Sequence, residues 1–141
     1  MGLDMYLYTY PEEQEENYKK IFELSNEESN KLWDETYEIG YWRKCNFLHK
    51  FLCTNGQLIE NEILYIIPRA TLYDFLEKAV KVVKKHSTKF SQNTLPTCAG
   101  FFYGSTEYDD YYYEWVLEEI SKVAEILKNY DDEKFLYYAS W

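Results

Sequence analysis

The residues best suited to chemistry lie in two stretches that are far apart in the chain. Residues 40–50 bring an indole, a guanidinium, an amide, an imidazole and an ammonium group into an otherwise acidic sequence. Residues 104–110 place hydroxyl and backbone N–H groups at the start of a predicted helix, where the helix dipole favours an anion. Together these groups could hold a small phosphate-bearing ligand. The candidate ligand-binding residues are Trp42, Arg43, Asn46, His49, Lys50, Ser105, Thr106, Glu107, Tyr108 and Asp109.

The spacing of the first stretch is that of a helix beginning after Gly40. In such a helix Trp42, Asn46 and His49 follow one another at i, i+4 and i+7, so they would share one face. This face would meet the 104–110 segment in a common pocket. The pocket is a hypothesis about tertiary structure, because nothing in the local sequence joins the two stretches.

Each candidate has a role in this hypothesis. Arg43 and Lys50 would neutralise phosphate charge, and the planar fork of Arg43 suits a pair of phosphate oxygens. A ring of Trp42 or Tyr108 would stack on a base. The groups that would orient the ligand belong to Asn46, His49, Ser105 and Thr106.

The same residues have ordinary structural explanations, which stay open in the sequence. Arg43 could pair with one of the many carboxylates, and His49 could be a hydrogen-bonded imidazole of the core. Ser105, Thr106 or Asp109 could simply cap the helix that follows. Glu107 and Asp109 also oppose phosphate unless their side chains point away.

Catalysis has weaker support. His49 could meet Ser105 or Cys45 in space, but no nucleophile elbow or related local motif is present. Glu107 with His49 could carry out general acid–base chemistry, again without a specific local pattern. The histidines and acidic residues lack diagnostic metal-ligand spacing, so the sequence predicts no catalytic residue, metal or cofactor.

The formal net charge of −10 argues against binding to nucleic acid or to an anionic membrane, since both need a basic surface. No apolar run is long enough to span a bilayer. A positively charged partner is compatible with this charge. The densest acidic cluster is formed by Glu12, Glu13, Glu15 and Glu16.

The three cysteines have no metal-ligand spacing, and the chain has no secretory signal. These features predict reduced thiols and a cytoplasmic location.

The elements that must position these groups follow from hydrophobic spacing. The length of 141 residues fits one domain, 1–141, with one core. The expected fold class is α+β, with a small mixed sheet that includes the N- and C-terminal strands and is covered by amphipathic helices. Strands are predicted at residues 5–10, 63–67 and 135–139. One helix is predicted after Pro11, and a second at 41–52, ended by Asn55-Gly56. A third begins at a capping box formed by Thr71 and Asp74, and a fourth covers 109–129. Residues 25–38 are predicted to form a short helix or a loop, and residues 87–97 a loop.

Three blocks of the sequence resemble a known family. They are the opening MGLDMYL, the central GYWRKCNFLHKFL and the later LPTCAGFFYGSTEYDDYYYE. They are similar to small, mostly uncharacterised proteins of phages, prophages and bacteria. Relative to that pattern, Cys45 replaces a small residue, Leu48 an isoleucine and Tyr103 a frequent phenylalanine. The resemblance implies an origin in a virus or mobile element, and it joins polar residues of the last two blocks into one constellation.

Small phage proteins commonly interfere with host defence, so by analogy we expect an anti-defence protein that sequesters a small phosphate-bearing nucleotide signal without turnover. One alternative is an inhibitor of a host immune protein that acts through the Glu12–Glu16 surface. Another is a small nucleotide hydrolase using His49 or Glu107. The tyrosines at 111–113 cannot share one helical face, and those outside the core could line a cleft or support a homo-oligomer.

Overall fold

The fold is taken from a computed structural model, which describes residues 2–53, 62, 64–100 and 103–141. Its strands are β1, Asp4–Thr9; β2, Tyr37–Arg43; β3, Leu64–Pro68; and β4, Lys134–Ser140. They form one sheet in the order β2-β1-β4-β3. The expected α+β class, with both terminal strands in one sheet, is confirmed. Every pair is antiparallel, whereas a mixed sheet was expected.

The described helices differ greatly in length. They are α1, Glu15–Lys19; α2, Asn26–Asp34; α3, Asn46–Leu52; α4, Arg69–Lys85; α5, Thr88–Thr94; and α6, Asp110–Asn129. Short 3-10 turns flank α1, so the helix predicted after Pro11 is broken into pieces. Among the described residues, no helix combines the length and the apolar character that crossing a bilayer requires.

The sheet separates two apolar clusters. Because side chains alternate along a strand, Phe135 and Tyr137 of β4 join the main core, which also receives buried side chains from α3, α4 and α6. Leu136 points to the other face and packs with Tyr18 and Leu32 from the α1 and α2 region. The main core therefore lies on the side of the sheet that carries α3 and α6, the helices closest to the candidate residues.

The helix predicted over residues 41–52 is wrong in its first half. Residues up to Arg43 belong to β2, where buried and exposed side chains alternate, and β2 pairs along β1. Lys44 then adopts a left-handed backbone angle, φ 59°, and α3 begins only at Asn46. Trp42 therefore shares no helical face with Asn46 and His49.

Two further predictions are wrong. Residues 88–94 form α5 instead of a loop, and Ser87 caps this helix by accepting a hydrogen bond from the Phe90 N–H. The long helix α4 begins at Arg69, so Thr71 and Asp74 do not form its capping box. The predicted helix end at Asn55-Gly56 and the residues Ile63, Phe101 and Phe102 lie outside the described residues.

Candidate functional site

The two polar stretches meet at the side chain of Asn46, which is buried at the start of α3. Its Nδ2 donates to the carbonyl oxygens of Tyr103 at 3.2 Å and Ser105 at 2.9 Å. Its Oδ1 accepts a hydrogen bond from the N–H of Cys98 at 3.2 Å. All three partners are backbone groups of residues 97–100 and 103–109, which we call the strap. Asn46 therefore ties the strap to α3.

The strap is also held by its own hydrogen bonds. The Tyr108 hydroxyl accepts from the Thr97 N–H at 3.0 Å, and the Thr97 hydroxyl donates to the carbonyl of Thr106 at 3.0 Å. The Ser105 hydroxyl accepts from the Glu107 N–H at 3.1 Å. The Ser105 and Tyr108 hydroxyls thus stabilise the strap itself.

Trp42 is buried beneath α6. Its indole N–H donates to the carboxylate of Glu119, and the Lys122 ammonium lies 4.5 Å from the centroid of its ring. Burial raises the pKa of Glu119, and the contacts with Trp42 and Lys122 counter part of that change. Trp42 belongs to an interior network and offers no exposed ring face to a base.

His49 is fully buried in the core. The rings around it are those of Tyr103, Tyr137 and Trp141. Its Nδ1 shares a hydrogen bond of 2.5 Å with the Tyr137 hydroxyl, and no described residue pairs with Nε2. Burial lowers the pKa of His49 from 6.5 to about 4, so the imidazole is neutral near pH 7.

The two cations expected to neutralise phosphate lie in different places. Arg43 Nη1 is 3.4 Å from Asp4 Oδ1 across the β1–β2 pair, and the Tyr41 hydroxyl donates to the same oxygen at 2.6 Å. Lys50 lies beside a separate hollow formed with α4 and α5. Neither cation lines the hollow beside the strap.

That hollow, of about 160 Å³, lies between α3, the strap and the first turns of α6; we call it the acidic hollow. Asp109 is the N-cap of α6, because its Oδ1 accepts from the Tyr112 N–H at 3.1 Å. Pockets for whole small molecules usually begin near about 300 Å³, so this one suits a flat ring or the tip of one side chain. Its lining residues are Asn46, Phe47, Thr97, Ser105, Glu107, Asp109, Tyr111, Tyr112 and Trp115.

An open groove of about 350 Å³ continues from the acidic hollow along α6. It shares Tyr111 and Trp115 with the hollow and adds Glu114 and Glu118. Residues four apart are neighbours on a helix, so the two rings form one row and the two glutamates form another beside it. Tyr111 is 79% exposed, and its ring is open to a partner.

The electrostatics of this surface favour a cation. The carboxylates of Glu107, Glu114 and Glu118 have no ion pair or hydrogen bond with any described residue. Among the described residues, no lysine, arginine or histidine lines the hollow or the groove. Uncompensated carboxylates beside the exposed ring of Tyr111 and the half-buried ring of Trp115 attract positive charge and repel phosphate.

The acidic hollow collects Asn46, Ser105, Glu107 and Asp109 from the sequence-predicted set. His49 is absent from its lining, so the Glu107–His49 pair expected for acid–base chemistry does not face one cavity. The sequence analysis missed Trp115, Glu114 and Glu118. The sequence pattern that indicates them is a spacing of four residues within α6. Tyr111 and Trp115 form an aromatic pair at this spacing, and Glu114 and Glu118 form an acidic pair beside it.

Within the described residues, no group of three or more His, Cys, Asp or Glu side chains is placed to hold a metal ion. No family model, no curated protein and no solved structure matches this chain.

Proposed function

We propose that this protein acts by binding a cationic side chain of a partner protein, without chemical turnover. The binding surface is the acidic hollow together with the groove beside it. One observation carries the proposal: four carboxylates line the same two cavities as the exposed Tyr111 ring and the half-buried Trp115 ring, and no basic residue among the described ones lines either cavity. A cation over a Trp or Tyr ring gains about 0.5–2 kcal/mol, and a carboxylate adds a charge-assisted hydrogen bond.

Shape favours arginine over lysine. A guanidinium is flat, stacks on aromatic faces and can donate to two carboxylate oxygens at once, whereas an ammonium is a compact and strongly hydrated charge. The acidic hollow is large enough for such a side-chain tip, and Glu107 and Asp109 lie at its wall. The open groove leaves room for the backbone that carries the arginine.

This proposal keeps the expected inhibition of a host immune protein through an acidic surface but moves that surface to α6. At the original position, Glu15 already accepts a hydrogen bond from Tyr10 at 2.8 Å and pairs with Lys134 at 3.0 Å. The anti-defence role rests only on analogy with small phage proteins that interfere with host defence. Nucleotide binding at the original constellation is less well supported, because Trp42 and His49 are buried.

The test is a titration of the protein with acetyl-arginine amide, in which binding is measured from the NMR shifts of the backbone amides of α6. Acetyl-citrulline amide is a neutral isostere and should bind far more weakly. Glu107→Gln and Tyr111→Ala should each weaken arginine binding about three- to tenfold, as loss of roughly 1 kcal/mol implies. Both residues are exposed, so the variants should fold.

Glu125→Gln is the matched control. It removes the same charge from an exposed position on α6 that lines neither cavity. Equal affinity for the arginine and citrulline compounds would overturn the proposal. So would an equal loss in the Glu107 and Glu125 variants, because the effect would then be one of net charge.

A further inference from the structure

A second hollow, of about 300 Å³, has the opposite chemistry. It lies between α3, α4 and α5, and we call it the basic hollow. The described polar residues that line it are two lysines, one amide, one hydroxyl and one carboxylate. These residues are Lys50, Lys78, Asn93, Thr94 and Asp74. The ring of Phe51 supplies part of the apolar wall.

Lys50 is the unusual member of this set. It is half-buried on α3, and no described residue forms an ion pair or a hydrogen bond with its ammonium group. The chain has 25 acidic residues against 15 basic ones, so a shortage of carboxylates does not explain this. A half-buried cation that lines a cavity and has no ion-pair partner among the described residues favours an anion there.

The rest of the lining can assist. Lys78 Nζ is 2.8 Å from Asp74 Oδ2 and 5.4 Å from the centroid of the Phe51 ring, so its ammonium group is held at the wall while Asp74 balances most of its charge. The side chains of Asn93 and Thr94 have no hydrogen bond with a described residue. An amide and a hydroxyl with unused donors suit the oxygens of a phosphate group.

We propose that the basic hollow binds a small phosphate-bearing anion, with Lys50 as its principal charge contact. Lys78, Asn93 and Thr94 supply the further donors. Of the residues that the sequence analysis assigned to a phosphate-bearing ligand, Lys50 alone lines this hollow. The site is distinct from the acidic hollow, and the anion-binding proposal does not depend on the proposed cation-binding function.

Two features oppose an anion, and both are weak. The Asp74 carboxylate is compensated by Lys78 through their ion pair. The hollow also lies at the C-terminal end of α5, where the helix dipole is negative, but this helix has only 7 residues. Removing the Asp74 charge should therefore raise the affinity for the anion, whereas removing the Lys50 charge should lower it.

The experiment titrates isotope-labelled protein with inorganic phosphate and with AMP at constant ionic strength, following the amides of residues 50–51 and 93–94. Saturable shifts are expected with both probes. Lys50→Gln should weaken binding about tenfold, the usual effect of losing one charge-assisted contact. Asp74→Asn should strengthen it several-fold, because it removes the repelling carboxylate and releases Lys78.

Lys84→Gln is the matched control, since Lys84 is exposed on α4 and does not line the hollow. Its binding should match the wild type within about twofold. The proposal is overturned if neither probe gives saturable shifts into the millimolar range. It is also overturned if the Lys50 and Lys84 variants lose affinity equally, or if Asp74→Asn weakens binding.

Discussion

The side chains of Trp42 and Tyr111 show what burial does at the scale of one residue. Both are aromatic groups that the sequence offers as ligand contacts. Trp42 is buried and donates its N–H to Glu119, whereas Tyr111 keeps 79% of its surface exposed beside the acidic hollow. The residue type sets the available chemistry, and burial decides whether a partner can reach it.

His49 leads to a prediction about pH at the same scale. Burial lowers its pKa from 6.5 to about 4 in the folded protein. Between these two pH values the imidazole is therefore mostly protonated in the unfolded state and mostly neutral in the folded state. This stabilising contribution is present above pH 6.5 and is lost as the pH falls towards about 4. It amounts to roughly 3 kcal/mol, since one pKa unit corresponds to about 1.4 kcal/mol.

The measurement compares the wild type with His49→Gln by urea unfolding at about pH 7.5 and about pH 4.5. The variant should be less stable at the higher pH, because a buried group loses its packing and its contact with Tyr137. That difference should shrink by about 2–3 kcal/mol at the lower pH. A difference that stays constant would mean that the folded protein protonates His49 without cost.

At the scale of elements, one amide sets the position of the strap. Asn46 pairs with three backbone groups, those of Cys98, Tyr103 and Ser105. Gly104 lies between the last two with φ 94°, and a Cβ there would come within 3.3 Å of the Lys44 carbonyl oxygen. The close approach of the strap to the β2–α3 turn therefore depends on a residue without a side chain.

Asn46→Ala should destabilise the fold by about 2–4 kcal/mol, because it leaves the three backbone groups without their partner. It should also weaken arginine binding, since the strap forms one wall of the acidic hollow. Chemical unfolding and the arginine titration measure the two effects. Asn30→Ala, at an exposed position of α2, is the control and should change stability by less than about 0.5 kcal/mol. An Asn46 variant as stable as this control would show that the amide does not hold the strap.

Elements with a long periodic pattern were predictable from the sequence. The helices α4 and α6 and the strand β4 appear close to their expected bounds, because many residues contribute to each pattern. The 40–52 segment was not predictable locally. Its apolar spacing is compatible with a helix, but β1 needs an antiparallel neighbour, and residues up to Arg43 supply it. Pairing with a distant strand outweighed local spacing.

At the scale of the whole molecule, the net charge of −10 is unevenly placed. The acidic hollow and groove concentrate carboxylates on the N-terminal half of α6, whereas Lys50 and Lys78 face the basic hollow. The segment that ends α5 and begins the strap contributes to both cavities, through Thr94 and Thr97. The described residues thus form an acidic and a basic hollow that share one short segment of the chain.

The salt dependence of arginine binding should distinguish attraction by the carboxylates of the acidic hollow and groove from stacking on their aromatic rings. Raising NaCl from about 0.05 M to about 0.5 M shortens the screening length from roughly 14 Å to roughly 4 Å. The affinity for acetyl-arginine amide should fall several-fold, because exposed carboxylates supply much of the attraction. The weak binding of acetyl-citrulline amide should stay nearly constant. Calorimetry at the two salt concentrations measures both, and an arginine affinity independent of salt would assign the binding to ring stacking alone.

The sequence by itself determined the fold class, the long helices and the terminal strands, because these follow from the periodicity of neighbouring residues. It also supplied the acidic character and the groups that could contact a ligand. Only the tertiary structure decided which of those groups are accessible. Trp42 lies buried in a paired strand, the core encloses His49, and Glu107 and Trp115 line one hollow. Burial and charge compensation depend on residues distant in the chain, and no local pattern encodes them.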